Sequence, residues 1–275
     1  MMSSENSSIP RGRRLFVTLL SAAAIAISLA TAFGLARVWV PPGSLDLPEV
    51  ALDLPTPPKG KDFPVRVWLH RVDSVGRVKF AEGRYQGIEI DVVFDSNART
   101  FDVGHPPVPS IGLSLETLIA SLEDPGQHFY WVDLKNLTPE NKRQAAFELS
   151  RIAQRFSIIA RMIVESPQLE HLDEFSRQGF YTSYYLPFIN PYALPQDQLK
   201  DYVRGIARRL AHSQVNAISS NHLQYELISR YFPGYDVLLW YPTKNFIAYA
   251  IRERKLLADP RVKVLLRQEI STGYR

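Results

Sequence analysis

WLHRVDS (68–74), GIEIDVVFD (87–95) and VGHPP (103–107) are the segments on which the reading of this chain turns. VRVWL (65–69) is a short apolar, β-branched run that ends at His70. IEIDVVF (88–94) is a second run of strand type, and it carries two carboxylates. Glu89 and Asp91 are two residues apart, so on a strand both point to the same side. Inside a closed barrel two such carboxylates repel unless a cation lies between them. Outside it they leave Ile88, Ile90 and Val92 as the buried row, but helices cover that face and charge there is costly too. Both arrangements are open from the residues alone.

Outward from this stretch the chain alternates strand-like and helix-like pieces. Strands are predicted at 65–69, 88–94, 129–134, 161–165, 180–186, 215–219, 237–241 and 262–266, with a short β piece at 100–103. Helices are predicted at 75–81, 114–122, from Thr138-Pro139 onward, and at 169–177, 196–211, 223–231 and 246–256. Ser114 is a good N-cap, and Thr138-Pro139 pairs a capping residue with a proline suited to the first turn. Ala146, Leu149, Ile152 and Ala153, and later Leu199, Val203, Ile206 and Leu210, recur at helical spacing and mark one buried face each. Strands alternating with helices imply βαβ units and a parallel sheet. Eight of them in about 200 residues fit an α/β fold of the (β/α)8 TIM-barrel kind at the small end of its range. An open doubly wound sheet is the alternative. No glycine-rich phosphate loop follows a strand, which argues against a nucleotide site.

In such a barrel chemistry gathers at the carboxyl ends of the strands. The first predicted strand ends at His70, the second carries Glu89 and Asp91, and the third ends at Asp133 with Lys135 beyond it. The fourth ends at Glu165, and the seventh carries Trp240. Oxygen ligands in a chain without cysteine suit a hard divalent metal, Mg²⁺ or Ca²⁺, with Asp133 the natural third ligand to Glu89 and Asp91. His70 and His105 are the candidate acid/base pair, because imidazole titrates near working pH. Arg71 offers a planar fork and Lys135 a point charge for an anionic substrate group. Trp240 and the tyrosines of YTSYY (181–185) are candidate walls of the pocket, although aromatics on strands are more often core. His128, His171, His212 and His222 have no comparable neighbours in sequence and read as surface or packing residues.

The 275 residues are 45% hydrophobic and 22% charged, enough for one domain with a sizeable core. Net charge is +4, and leaving out Arg11, Arg13, Arg14 and Glu5 reduces it to +2, too little to argue for nucleic acid. Residues 1–14 read as a cytoplasmic tail and 15–36 as a transmembrane anchor or signal. Leu15 to Leu35 carries no charge, is just long enough to cross a bilayer, and follows a basic cluster that places the domain on the extracytoplasmic side. Ala30-Thr31-Ala32 is the cleavage site on the signal-peptide reading; the length of the run favours an uncleaved anchor. Residues 37–62 are dense in proline and read as a linker, with the barrel at 63–275.

Four short motifs in order resemble those of the phospholipase-C-like phosphodiesterase barrels. His70-Arg71, Glu89-Ile90-Asp91, His105 and Asp133-Leu134-Lys135 stand where the glycerophosphodiester phosphodiesterases have His-Arg-Gly, Glu-x-Asp, His-Asp and Glu-x-Lys. His70 with Ser74, Glu89-Ile90-Asp91-Val92, His105-Pro106-Pro107 and Asp133-Leu134-Lys135 are more similar still to the menorin family. The resemblance implies a metal held by Glu89, Asp91 and Asp133, acid/base work by His70 and His105, and phosphate binding by Arg71 and Lys135. It also implies a phosphodiester small molecule or lipid headgroup as substrate, attacked in some members by the substrate's own hydroxyl. Val72 and Pro106 depart from the glycerol-diester pattern, so the substrate loops are expected to differ. Two functions follow: a membrane-tethered metal-dependent phosphodiesterase, or a non-catalytic barrel that keeps the site as an envelope or surface binding module. A glycosidase barrel is weaker, since it leaves both histidines idle.

Overall fold

The computed structural model describes residues 45–240 and 246–269. The tail and the anchor or signal read at 1–14 and 15–36 lie outside these residues. Among the described residues no helix is long and apolar enough to cross a membrane.

Eight parallel strands form a closed ring. They are β1 (Val67–Leu69), β2 (Gly87–Asp95), β4 (Phe129–Leu134), β5 (Met162–Ser166), β6 (Tyr181–Tyr185), β7 (Ala217–Asn221), β8 (Asp236–Trp240) and β9 (Val262–Arg267). Each pairs with the next, and β1 pairs with both β2 and β9, so no barrel edge is left unpaired. This closure excludes the open sheet. β3 (Thr100–Val103) is not a barrel strand. It turns back antiparallel on the upper half of β2, with Val92 opposite Val103, and returns the chain to the rim.

The helices are α1 (Val75–Ala81), α2 (Leu115–Ala120), α3 (Lys142–Arg155), α4 (Asp173–Arg177), α5 (Gln196–Leu210), α6 (Tyr225–Tyr231) and α7 (Phe246–Leu257). The apolar faces expected of α3 and α5 are buried. Ser114 caps α2 by accepting the Thr117 N–H, as its position suggests. Thr138 works one turn earlier than the regular start of α3. Its hydroxyl accepts the Asn141 N–H while Asn141 Oδ1 accepts the Thr138 N–H, a reciprocal pair that forms the turn ahead of Lys142.

The β-strand period of two divides the core. Outward side chains such as Ile88, Ile90 and Val92 join the layer between strands and helices. Inward ones form a separate cluster of Trp68, Phe129, Trp131, Ile163, Tyr181, Ala217, Leu238, Val264 and Leu266. Phe63 belongs to this inner cluster, with edge-to-face contacts to Trp68, Phe129 and Tyr181. The amino end of the barrel is therefore stoppered by aromatic rings.

Residues 45–62 have no regular secondary structure, yet they are packed against the barrel. Leu45, Leu47, Val50, Leu52 and Leu54 lie on the helical layer, and Tyr231 donates its hydroxyl to the Pro48 carbonyl. Further along, Asn216 donates to the Lys59 carbonyl and Lys61 N–H donates to Asp236. Alternating Leu and Val in this stretch supply the apolar contacts, and its prolines keep it extended.

Gly87 begins β2 facing inward under the Trp68 indole. A Cβ there would stand 2.2 Å from the ring. Gly87→Ala is predicted to lower the unfolding free energy by about 1–3 kcal/mol, the usual cost of overpacking a rigid site. Urea unfolding of the variant with an unchanged m-value would check this; a variant as stable as the parent would count against a rigid indole at that position.

Candidate active site at the barrel mouth

The inward row of β2 decides the site. Gly87, Glu89 and Asp91 share a face, and the register sets Asp91 beside Asp133 of β4 and Asp133 beside Glu165 of β5. All four carboxyl side chains are buried and line the cavity at the barrel mouth, while Ile88, Ile90 and Val92 lie in the helix-facing layer, so the outward alternative for Glu89 and Asp91 does not hold. The physical reason is the alternation itself. With Ile88, Ile90 and Val92 against the helices, the polar row turns to the interior.

These residues line a cavity of about 150 Å³ together with His70, Arg71, His105, Trp131, Lys135, Tyr185, Trp240 and Leu266. Every residue named from the sequence for acid/base work, metal holding or substrate binding therefore meets at one mouth. Oxygens of Glu89, Asp91 and Asp133 lie within 4.8 Å of one another.

Charge is the dominant feature. Lys135 holds its ammonium 2.6 Å from Asp91 Oδ1 and against Asp133 Oδ2. Burial works against that ammonium, but Asp133, Asp91 and Glu89 overcome it and hold its pKa above the ordinary lysine value. Arg71 places Nε 3.7 Å from Asp91 Oδ2. Burial, with Asp91 and Asp73 adding repulsion, raises the Glu89 pKa well above the carboxylate range. Burial raises that of Asp133 as well, against the pull of Lys135. Glu165 is raised by burial and by Asp133.

His70 closes β1. Its ring lies 3.6 Å from Glu89 at Nε2 and 6.3 Å from the Trp240 ring centre. Burial, followed by the positive charge of Arg71, pulls its pKa down to about 3. Arg71 then takes a left-handed backbone, φ 57°, which a side chain larger than glycine adopts only under constraint. The constraint is visible. The Arg71 N–H donates to Glu89 Oε2 at 2.7 Å, and Arg77 donates to the carbonyls of both His70 and Arg71. His105 follows β3 and Gly104, whose N–H donates to the Asp91 carbonyl. Its Nδ1 is 2.7 Å from the Pro106 carbonyl, so that nitrogen carries a proton and Nε2 is left for exchange.

Two contributors, Asp73 and Arg77, were not singled out from the sequence, and Tyr185 joins them at the site. Asp73 accepts the Asp91 N–H, and burial together with Asp91 raises its pKa to about 7. Arg77 also donates to the Glu269 carbonyl, tying the His70 turn to the end of the barrel. Tyr185 borders the cavity, its pKa pushed up to about 12 by burial and Glu165. Asp73 follows His70-Arg71 closely and was legible as part of that turn. Arg77 carries no local signal, whereas Tyr185 is one of the YTSYY tyrosines expected from the sequence at the pocket wall. His128, His171, His212 and His222 do not line the cavity. His222 is buried, as the packing reading has it.

The donor set fits a hard divalent cation. Asp133 Oδ1 and Glu165 Oε2 are buried without a hydrogen-bond partner, and four carboxyl groups face two fixed cations. Three oxygen ligands on rigid strands with an open mouth suit Mg²⁺ or Ca²⁺, whose remaining positions go to water or substrate oxygens.

No family model matches the chain, and no curated protein matches it in sequence. Solved structures match it in fold. A glycerophosphodiester phosphodiesterase from Parabacteroides distasonis superposes with a TM-score of 0.51 at 14% identity, over 74% of this chain and 92% of that one. The glycerophosphodiester phosphodiesterase from Thermotoga maritima gives 0.50 at 15% identity, over 76% and 96%. At such identity the likeness is one of fold. The chain shares the barrel of glycerophosphodiester phosphodiesterases.

Adding Mg²⁺ or Ca²⁺ is predicted to raise the melting temperature, by about 2.7 kcal/mol of stability at a hundredfold excess over Kd. Asp133→Asn should remove most of that gain. A thermal-shift titration of both proteins checks it, and a gain that survives in Asp133→Asn would place the ion elsewhere.

Proposed function

We propose that this chain is a metal-dependent phosphodiesterase that cleaves a glycerophosphodiester or a related diester. The observation that carries the reading is the convergence of His70, His105, Arg71, Lys135 and the three-carboxylate cluster on one cavity of a barrel with this fold. Glu89, Asp91 and Asp133 would hold the divalent cation, which when bound supplies positive charge to the phosphoryl oxygens. Arg71 and Lys135 add fixed charge at the same place. Trp240 and Tyr185 wall the substrate.

Catalysis needs two proton transfers. A hydroxyl, from water or from the substrate's own glycerol, forms a new bond to phosphorus and gives its proton to one imidazole. The other imidazole returns a proton to the departing alkoxide as its bond to phosphorus breaks. His70 follows β1 and His105 follows β3, and both line the cavity beside the carboxylate cluster, which offers one proton donor and one acceptor to a phosphoryl group held there. The His-Pro-Pro and Asp-x-Lys patterns support a relation to the menorin family. The uncharged run at 15–35 supports a membrane tether with the domain on the extracytoplasmic side.

A binding module is the second reading. The Lys135 ammonium between Asp91 and Asp133 favours it, since its single charge already engages two of the three ligands. Turnover separates the two. The purified chain with Mg²⁺ or Ca²⁺ should hydrolyse one or more members of a glycerophosphodiester panel, and His70→Ala and His105→Ala should each lower kcat by about 10²–10⁴-fold. No turnover across the panel, or turnover that persists in both variants, defeats the enzymatic reading.

A further inference from the structure

Among the described residues, the exposed large hydrophobic side chains are Val75, Val108, Ile111, Phe147 and Phe188. Four of these five stand at the mouth of the barrel. Val75 starts α1 directly beyond the His70 turn. Val108 and Ile111, at 67% and 65% exposure, lie in the loop that runs from His105 to the start of α2. Phe188, at 52%, lies in the loop between β6 and α5. The ring order β1, β2, β4, β5, β6 sets the Phe188 loop across the mouth from the other three residues. The fifth, Phe147, is in the middle of α3, on the flank.

Both loops are built to hold these side chains out. Residues 104–113 and 186–195 contain no Asp, Glu, Lys or Arg, in a chain that is 22% charged. In the first loop the Val103 N–H donates to Leu113, the Val108 N–H to His105, Ser110 to Asp102, and the Gly112 N–H to Ser110 Oγ. In the second, Tyr202 and Gln224 both donate to the Pro187 carbonyl, and Asn190 accepts from Tyr192 and Ala193. A braced loop of this kind does not fold its apolar tip back onto the barrel. An apolar rim around a charged cavity marks an interaction surface.

The path of residues 45–62 says which partner it fits. Leu45 N–H donates to Glu226 in the first turn of α6, and Gln196, the first residue of α5, donates to the Asp46 carbonyl. Helices of this barrel begin at the mouth, so Leu45 is at the mouth end. The segment then descends to Lys61 and Phe63 at the opposite end. The described chain therefore begins on the side of the cavity. The uncharged run ends at Leu35, ten residues earlier. Ten residues span at most about 35 Å.

We infer that the mouth of the barrel seats on a lipid bilayer, with Val108, Ile111 and Phe188 entering the headgroup boundary around the cavity. Resting on the phosphodiesterase reading, this narrows the substrate to the headgroup diester of a membrane lipid, delivered from the surface on which the domain sits. Apolar side chains at the two sides of the mouth give up water contact together, and Arg71, 47% exposed at the same opening, meets lipid phosphate.

The absence of cysteine permits a direct test. Full-length Ile111→Cys, Phe188→Cys and Phe147→Cys are each labelled with a polarity-sensitive dye and mixed with phosphatidylcholine/phosphatidylglycerol vesicles carrying brominated acyl chains. A side chain about 5–10 Å into the boundary is within reach of the bromines. Labels at 111 and 188 are expected to shift to the blue and be quenched, and the label at 147 to stay as in water. If 111 and 188 behave like 147, the docking inference is overturned. The readout does not depend on turnover: insertion without hydrolysis of any diester would sink the enzymatic reading and leave docking standing, whereas hydrolysis with labels in water would do the reverse.

Discussion

Four carboxyl groups crowd the upper end of a barrel that has room for little else, and their mutual repulsion shapes everything around them. Two unit charges 4 Å apart interact by about 4 kcal/mol at an effective dielectric of 20. A cluster of Glu89, Asp91, Asp133 and Glu165 cannot stay ionised on those terms without compensation. Lys135 supplies part of it from the same strand as Asp133. Arg71 supplies another part, and its strained backbone is held by the N–H that it gives to Glu89. The rest must come from protons or from a cation. This is why the metal reading and the raised carboxyl pKa values are two descriptions of one imbalance.

The cluster can exist only because the rest of the interior is so apolar. Phe63, Trp68, Phe129 and Tyr181 fill the amino end, with Phe63 meeting each of the other three edge-on. Trp131 and Ile163 occupy the next level, below Asp133 and Glu165 on the same two strands. The Trp68 indole fits only because Gly87 has no side chain beneath it. A glycine two residues before Glu89 therefore lets the same strand carry both a packed floor and a charged ceiling.

The order of strands and helices was legible because most strands are short β-branched or aromatic runs and α3 and α5 show a clean apolar stripe. The site was legible for the same reason: residues at strand ends inherit their place from the topology. What escaped is what depends on long-range contact. Nothing near Arg77 marks it as the clamp on the His70 and Arg71 carbonyls. Whether Glu89 and Asp91 faced in or out was undecided until Ile88, Ile90 and Val92 were seen against the helices. Proline density in 45–62 announced an extended chain, but not that its Leu and Val residues lie on the barrel wall.

That last segment connects the two ends of the molecule. It begins beside the first turns of α5 and α6 at the mouth and finishes with Phe63 among the stoppering rings. Pull on it is therefore borne by the helical layer and by the floor of the barrel, not by the loops that frame the cavity. Those loops keep their own bracing, through Ser110 and Asp102 on one side and Pro187 with Tyr202 on the other. Docking of the mouth on a bilayer, as proposed above, needs this separation. On that proposal the strands that carry His70, Glu89, Asp91 and Asp133 stay undisturbed while the mouth is held to the surface, and the named contacts of residues 45–62 include no residue that lines the cavity.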